Sequence, residues 1–278
     1  MTYANIDKSY SESSLSHKIS LTQIKKMKAE GKRFSVVALY DAQMAAMAQK
    51  SGIEVVLVGD SLGMTVMGFE STIPVTMEHM IYHVEAVHRG NDRSLIIGDL
   101  PFMAYANINQ ALDNSARIMR AGAHMVKLEG GEWLAPTIKA LSERGIPVCA
   151  HIGLTPQSVH KFGGFRVQGR SDESAKKILN DALALEEAGA DLVLLECVPA
   201  PVVDEISSAL NVSTIGIGAG KNTDAQVLVI NDILGLTPQP PKFSKNFLAE
   251  TADIPSALIK FNQDVKLGVF PEKEHIFF

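Results

Sequence analysis

The stretch VVLVGDSLGMTVMG, residues 55–68, places an aspartate and a serine directly after a run of apolar residues. The β-branched, apolar run at 55–58 is typical of a buried strand, so Asp60 and Ser61 follow a strand end. An ionised carboxylate taken out of water costs several kcal/mol unless a cation, a metal ion or hydrogen bonds compensate it. The stretch therefore indicates either a turn into solvent or a partner for the charge of Asp60.

Similar apolar runs recur along the chain, and segments with helical periodicity separate them. The predicted strands lie at residues 35–40, 54–59, 94–99, 124–129, 147–153, 191–196 and 213–218, with a weaker eighth candidate at 227–236. The predicted helices lie at 41–50, 77–89, 109–120, 133–143, 172–187 and 201–210. This alternation is typical of βαβ units with a parallel sheet. It predicts an α/β protein with a (β/α)8 TIM barrel, and an open doubly wound sheet is the alternative because periodicity does not reveal closure.

Composition restricts the class of partner. The chain has 278 residues, 46% of them hydrophobic and 21% charged, which is ordinary for a globular protein with a substantial core. A net charge of -5 gives no basic surface for nucleic acid, and no apolar run approaches the ~20 residues that span a bilayer. We expect neither nucleic-acid nor membrane partners.

Cys149 and Cys197 lie inside apolar runs, which favours buried, reduced thiols in a cytoplasmic protein.

The two ends of the chain differ from its middle. Residues 1–18 are polar and serine-rich and lack an apolar signal core, so we expect a disordered extension. Residues 19–278 are predicted to form a single barrel domain. Within it, the proline-rich stretch 235–250 and the helical pattern from 254 to about 266 predict a C-terminal helical appendage.

Polar residues end several of the predicted strands, where a parallel barrel carries its chemistry. These residues are Asp60, Ser61, Asp99, Lys127, Glu129, His151 and Glu196. Any one acid could be an ordinary helix N-cap, but four acids in one ring repel each other unless a cation neutralises them. Carboxylate ligands of this kind suit Mg²⁺. Lys127 and Glu129 share a face of their strand, so Lys127 could pair with Glu129, hold a substrate carboxylate or act as a Schiff-base amine.

Longer motifs resemble one known family. The stretches VGDSLGMTVMG, GDLPFMAY, RAGAHMVKLEGGEW, PVCAHIGLTPQSV, FGGFRVQGR and KFSKNFLAE, in this order, resemble the ketopantoate hydroxymethyltransferase family from about residue 20 to the C-terminus. The resemblance implies a TIM barrel of the phosphoenolpyruvate mutase and isocitrate lyase type. It also implies a homo-oligomer, commonly a decamer.

The resemblance implies an activity and a role for each strand-end residue. The family transfers a hydroxymethyl group from 5,10-methylenetetrahydrofolate to 3-methyl-2-oxobutanoate, giving 2-dehydropantoate for pantothenate and coenzyme A biosynthesis, with Mg²⁺ as cofactor. Asp60, Asp99 and Glu129 match its metal ligands. Asp60, Ser61, Asp99 and Lys127 match its substrate-binding residues, and Glu196 matches its catalytic base.

Two alternatives remain at this stage. A Mg²⁺-dependent 2-oxo acid C–C lyase or mutase of the same barrel superfamily would need no folate, but such enzymes usually carry a reactive cysteine in a KKCGH-type loop, and no such motif occurs here. A catalytically inactive barrel that serves as a scaffold is the second alternative. Intact acids at every site position argue against it.

Overall fold

The strands form a closed parallel barrel. The computed structural model describes residues 17–278, and within them the strands follow chain order around the barrel, with β8 paired to β1. The strands are β1 Phe34–Ala38, β2 Val55–Val58, β3 Leu95–Asp99, β4 Met125–Glu129, β5 Val148–Gly153, β6 Leu192–Glu196, β7 Ser213–Ile217 and β8 Ala225–Val229. The predicted TIM barrel is confirmed, and the open sheet is excluded. Residues 1–16, most of the predicted polar extension, lie outside the described residues.

Helices cover the outside of the barrel. They are α1 Leu21–Ala29, α2 Ala42–Lys50, α3 Leu62–Thr65, α4 Met77–Gly90, α5 Ile108–Arg120, α6 Ala135–Ser142, α7 Val159–Phe162, α8 Asp172–Glu187, α9 Ala200–Ala209, α10 Ile230–Ile233 and α11 Ile254–Leu267. All the predicted helices are present, with ends that agree to within two residues. No helix in the described range is both long and apolar enough to cross a bilayer.

The eighth strand differs from its prediction. It was predicted at 227–236, but it spans Ala225–Val229 and is followed directly by α10. Register with the neighbouring strand explains the early start, because Phe34 at the beginning of β1 is paired with Ala225. The apolar run continues past Val229 because Ile230 and Ile233 are buried on one face of a helical turn.

Helix α1 was not predicted from the sequence. It begins with a capping box in which the Ser20 side chain and the Gln23 side chain each accept a backbone N–H of the other residue. Only Ile24 of this helix is buried, so its apolar periodicity is weak. Ile24 packs against residues from inside the barrel, and α1 therefore covers the barrel interior from one end.

Alternate strand residues fill the barrel interior. We call this set the interior cluster; its strand members are Phe34, Val36, Ala38, Val55, Leu57, Leu95, Ile97, Met125, Cys149, Leu192, Leu194, Ile215, Ile217, Ala225 and Val227. The intervening strand residues pack against the helices in a larger outer cluster. In strands β3 to β6 the same inward alternation continues to polar residues at the C-terminal ends, and this alternation positions the site.

Helix α11 is fixed to the barrel by buried polar contacts as well as apolar packing. The Ser35 hydroxyl contacts Oδ1 of Asn262 at 3.0 Å and Oε2 of Glu54 at 3.1 Å. Lys266 Nζ lies 2.5 Å from Glu54 Oε1. Phe261 of the same helix is completely buried. The C-terminal segment is therefore packed against β1.

Candidate active site

The polar strand-end residues lie together at the C-terminal end of the barrel. Asp99 is paired in register with Lys127, and Glu129 is paired with His151. Asp60 follows β2 by two residues, and its backbone N–H donates to Asp99 Oδ2 at 3.2 Å. The barrel thus brings residues from four consecutive strands into direct contact.

Lys127 lies at the centre of this group. Its Nζ is 2.7 Å from Asp99 Oδ2 and 3.2 Å from Glu129 Oε1. The lysine is only 3% exposed, and both carboxylates are buried as well. Burial favours a neutral amine, but the charges of Asp99, Glu129 and Asp60 outweigh it and raise the pKa of Lys127 well above its usual value. The lysine is therefore a buried ammonium that partly compensates the acids.

Three carboxylates form a cluster that could hold a metal ion. Oxygen atoms of Asp60, Asp99 and Glu129 lie within 4.8 Å of one another, and all three residues are buried. Among the described residues, Asp99 Oδ1 is buried without a hydrogen-bond partner. A buried anionic oxygen without a partner is costly, so the site favours an additional cation.

The protonation behaviour of the three acids differs. Burial, together with the charges of Asp99 and Glu129, raises the pKa of Asp60 well above its usual value. Burial also raises the pKa of Asp99, against the opposing charge of Lys127. Burial acts in the same direction on Glu129, but the charges of Lys127 and His151 lower its pKa to about 2. Lys127 and His151 thus stabilise the charge of Glu129, but the raised pKa values of Asp60 and Asp99 indicate that these two carboxylates lack sufficient positive charge nearby. A divalent cation that prefers hard oxygen ligands would supply that charge.

Gln157 connects two of these acids and was not among the predicted site residues. Its Nε2 donates to Asp60 Oδ2 at 2.9 Å, and its backbone N–H donates to Glu129 Oε2 at 3.0 Å. The Tyr105 hydroxyl donates to Gln157 Oε1 at 2.5 Å. The glutamine lies in a 3-10 turn, Pro156–Ser158, directly after β5. It therefore fixes the orientation of Asp60 and Glu129 relative to each other.

Ser61 lies beside the acids with its hydroxyl available. It is the N-cap residue of α3, but its side chain makes no capping hydrogen bond. Its Oγ instead lies 2.8 Å from the Tyr40 hydroxyl. Burial raises the pKa of Tyr40 to about 12, so Tyr40 is a neutral phenol that can act as donor or acceptor. Tyr40, which follows β1, was another residue that sequence reasoning missed.

His151 links the acid cluster to Glu196. Its Nδ1 lies 3.2 Å from Glu129 Oε1, and its Nε2 lies 3.3 Å from Glu196 Oε2. Burial and the charge of Lys127 disfavour the imidazolium, but Glu129 and Glu196 outweigh them and raise the pKa of His151 to about 9. The Glu196 side chain is 15% exposed, against 2% for Glu129. Glu196 is therefore the acid of this group most open to the barrel mouth.

Comparison with solved structures defines the class. The chain is similar to a phosphonopyruvate hydrolase, with a TM-score of 0.60, 14% identity, and 90% of this chain and 97% of that chain covered. It is also similar to 2,3-dimethylmalate lyase, a PEP mutase/isocitrate lyase superfamily member, with a TM-score of 0.57, 13% identity and coverage of 78% and 80%. The chain therefore shares the (β/α)8 barrel fold of these enzymes.

Comparison of sequences identifies the family within this class. The family model for ketopantoate hydroxymethyltransferase matches residues 18–273. A 3-methyl-2-oxobutanoate hydroxymethyltransferase of Saccharophagus degradans is 66% identical over 268 residues, covering 96% of this chain and 99% of the relative. One from Escherichia coli O157:H7 is 54% identical over 259 residues, covering 93% and 98%. The chain belongs to the ketopantoate hydroxymethyltransferase family and is an enzyme, a hydroxymethyltransferase.

Proposed function

We propose that the barrel mouth transfers a hydroxymethyl group from 5,10-methylenetetrahydrofolate to 3-methyl-2-oxobutanoate, forming 2-dehydropantoate for pantothenate and coenzyme A biosynthesis. The observation that carries the proposal is the buried carboxylate cluster of Asp60, Asp99 and Glu129 around Lys127, in a chain of this family. The family match favours this activity over the lyase or mutase alternative. The similarity to lyases and hydrolases supports only a shared fold.

Asp60, Asp99 and Glu129 would hold Mg²⁺. Their donor set is entirely carboxylate oxygen, which this ion prefers, and the buried Asp99 Oδ1 lacks a partner among the described residues. When bound, the ion would supply positive charge that stabilises the negative charge developing on the keto oxygen of a 2-oxo acid. Gln157 keeps two of the three acids in position through its hydrogen bonds.

Lys127 and Ser61 would orient the oxo acid beside Asp60 and Asp99. The ammonium of Lys127 is held charged by the surrounding acids, so it can bind the substrate carboxylate. The Ser61 hydroxyl makes no helix-capping bond and is paired only with the Tyr40 hydroxyl among its described contacts. It can therefore donate to a substrate oxygen while Tyr40 fixes its position.

Glu196 would act as the general base. Its carboxylate is the most open of the group, and its Oε2 lies 3.3 Å from Nε2 of His151, which contacts Glu129 on its other side. It would remove the proton from C3 of the oxo acid. C3 then forms a bond to the methylene carbon of the folate, and both bonds from that carbon to the two folate nitrogens break. Water supplies the new hydroxyl, and the proton from C3 and one proton of that water end on the two nitrogens of tetrahydrofolate. A positioned base typically contributes ~10²–10⁴-fold to the rate.

The cellular compartment, the oligomeric state and the domain organisation of the enzyme are part of the same proposal. We propose a cytoplasmic homo-oligomer, and sedimentation velocity of the purified protein tests for the decamer that the resemblance predicts. Two free, buried cysteines, Cys149 and Cys197, are compatible with a reducing compartment. We also propose that residues 19–278 act as one domain, which the packing of α11 on β1 supports.

Solvent deuterium exchange at C3 of 3-methyl-2-oxobutanoate, followed by proton NMR, tests the proposal without folate. We expect exchange that requires Mg²⁺, stops with EDTA and falls at least about 100-fold in Glu196→Gln. Glu132→Gln is the matched control, since Glu132 is an exposed acid at the same end of the barrel and should leave exchange unchanged. Exchange that is independent of metal would refute the role of the cluster. Exchange without product on addition of methylenetetrahydrofolate would favour a lyase or mutase.

A further inference from the structure

The mouth of the barrel has a polar half and an apolar half. Strands β3 to β6 end in charged or polar inward residues, with Asp60 beside them after β2. Strands β7, β8 and β1 instead end in Ile217, Val229 and Ala38. The pairing register places Ala38 beside Val229, and it places Ile217 beside Glu196, the proposed base.

Phe243 covers the apolar half. It follows β8 in the C-terminal segment and packs against both the interior cluster and the outer cluster. In the described part of the chain, it is the single hydrophobic residue outside the strands and the α1 region that packs against the interior cluster. A Cβ at Gly218, directly after β7, would lie 2.9 Å from Cδ1 of Phe243. The ring therefore lies at the β7 end of the mouth and is only partly buried.

The residues on both sides of Phe243 are fixed. Lys242 Nζ donates to the backbone carbonyl of Ile276 at 2.6 Å and lies 5.0 Å from the centre of the Phe277 ring. The Ser244 hydroxyl donates to Asp232 Oδ2 at 2.8 Å. Gly218 has φ +58°, and any side chain there would collide with the rings of Phe243 and Phe277. The structure thus holds an aromatic ring at a defined place in the mouth.

We propose that Phe243 is a specificity-determining residue that limits the size of the alkyl group on C3 of the 2-oxo acid. This inference rests on the proposed function. The carboxylate and keto oxygen belong at Lys127 and the acid cluster, so the alkyl end of the molecule points to the apolar half. C3 must lie near Glu196, and Ile217 is the strand neighbour of Glu196. The C3 substituents therefore lie against Ile217 and the Phe243 ring.

The test compares two substrates that differ by one methylene group, 3-methyl-2-oxobutanoate and 3-methyl-2-oxopentanoate. The readout is the ratio of their kcat/KM values for Mg²⁺-dependent deuterium exchange at C3. We expect Phe243→Ala to shift this ratio towards the larger substrate by about 10-fold or more, and Phe243→Leu to give an intermediate shift. Phe278→Ala is the matched control, because Phe278 is 70% exposed near the same segment, and it should leave the ratio unchanged.

The outcomes separate this inference from the proposed function. If the wild-type enzyme does not exchange 3-methyl-2-oxobutanoate, the proposed function fails. If the wild-type enzyme exchanges it but the ratio shifts less than about twofold in both folded Phe243 variants, the role of Phe243 is refuted. Phe243→Leu keeps the test decisive if Phe243→Ala does not fold, because leucine retains most of the apolar contact.

Discussion

Replacing Lys127 with methionine tests the electrostatic account of the site most directly. Lys127→Met keeps an apolar stem of similar length but removes the ammonium that lies 2.7 Å from Asp99 and 3.2 Å from Glu129. Both acids are buried, so their charges lose a partner and solvent cannot replace it. We therefore expect a large loss of stability in metal-free buffer.

The magnitude follows from the burial of the pair. Removing one partner of a buried ion pair typically costs about 3–5 kcal/mol. For a chain of this size that corresponds to a fall in the midpoint of thermal unfolding of roughly 6–20 °C. Lys177→Met is the control. In its ion pair with Asp181 the lysine side chain is 70% exposed and the aspartate side chain 10% exposed, so solvent screens this pair far more than the Lys127 pairs. Ion pairs open to solvent typically contribute about 0–1 kcal/mol.

Mg²⁺ and pH should each reduce the loss in Lys127→Met. A ligand that binds only the folded state, at 100 times its Kd, adds about 2.7 kcal/mol to the free energy of unfolding. Mg²⁺ should stabilise the variant more than the wild-type protein, because the variant lacks the positive charge of Lys127. Burial raises the pKa values of Asp60 and Asp99, so the folded state binds more protons than the unfolded state. Stability is therefore lost as pH rises through those pKa values, and the deficit of the variant should be smaller at pH 5 than at pH 8.

Circular-dichroism melts with EDTA and with Mg²⁺, at both pH values, measure these effects. A deficit that is the same at pH 5 and pH 8 and does not respond to Mg²⁺ would refute the reasoning. It would show that the lysine contributes packing and not charge compensation. A deficit in Lys177→Met as large as that in Lys127→Met would refute it as well.

Two further predictions concern residues outside the proposed catalytic set. Gln157→Leu removes the side-chain hydrogen bond to Asp60 and leaves the backbone N–H that donates to Glu129. We expect Mg²⁺ affinity measured by calorimetry to fall about 10–100-fold, and unchanged affinity would mean that Asp60 is oriented without the Gln157 side chain. His124 accepts the backbone N–H of Ile96, and its burial lowers its pKa to about 4. The unfolded state then binds the proton first, so stability should fall as pH drops from about 6.5 towards about 4. His124→Asn should flatten this slope in urea unfolding, and an unaltered slope would contradict the assignment.

The positions of the acids could be predicted because strand ends are local features. Asp60, Asp99, Glu129 and Glu196 each follow an apolar run that the sequence shows plainly. Parallel closure then brings all strand ends to one face, so a correct fold prediction is enough to group them. Gln157 could not be found in this way, because a neutral residue in a turn leaves no charge imbalance to explain.

The missed elements have a common physical cause. Helix α1 buries only Ile24, so its pattern is too weak to be recognised by periodicity. At β8 the apolar run continues into the buried turn of α10, and composition alone cannot show where the strand ends. In both places tertiary packing decides the structure, because the partner surfaces come from distant parts of the chain.

The contacts of Lys127 show that strand register, and not spacing along the chain, determines which acid lies closest to the ammonium. Two-residue spacing predicts a pair with Glu129, but Lys127 lies closer to Asp99 because β3 and β4 place these two residues side by side. The lysine is thus shared between two acids from different strands, and neither acid is fully neutralised. A metal ion can then bind without displacing a complete ion pair, while the ammonium stays close enough to hold the carboxylate of an oxo acid. Sharing one lysine between two acids therefore leaves the cluster receptive to both a cation and an anion.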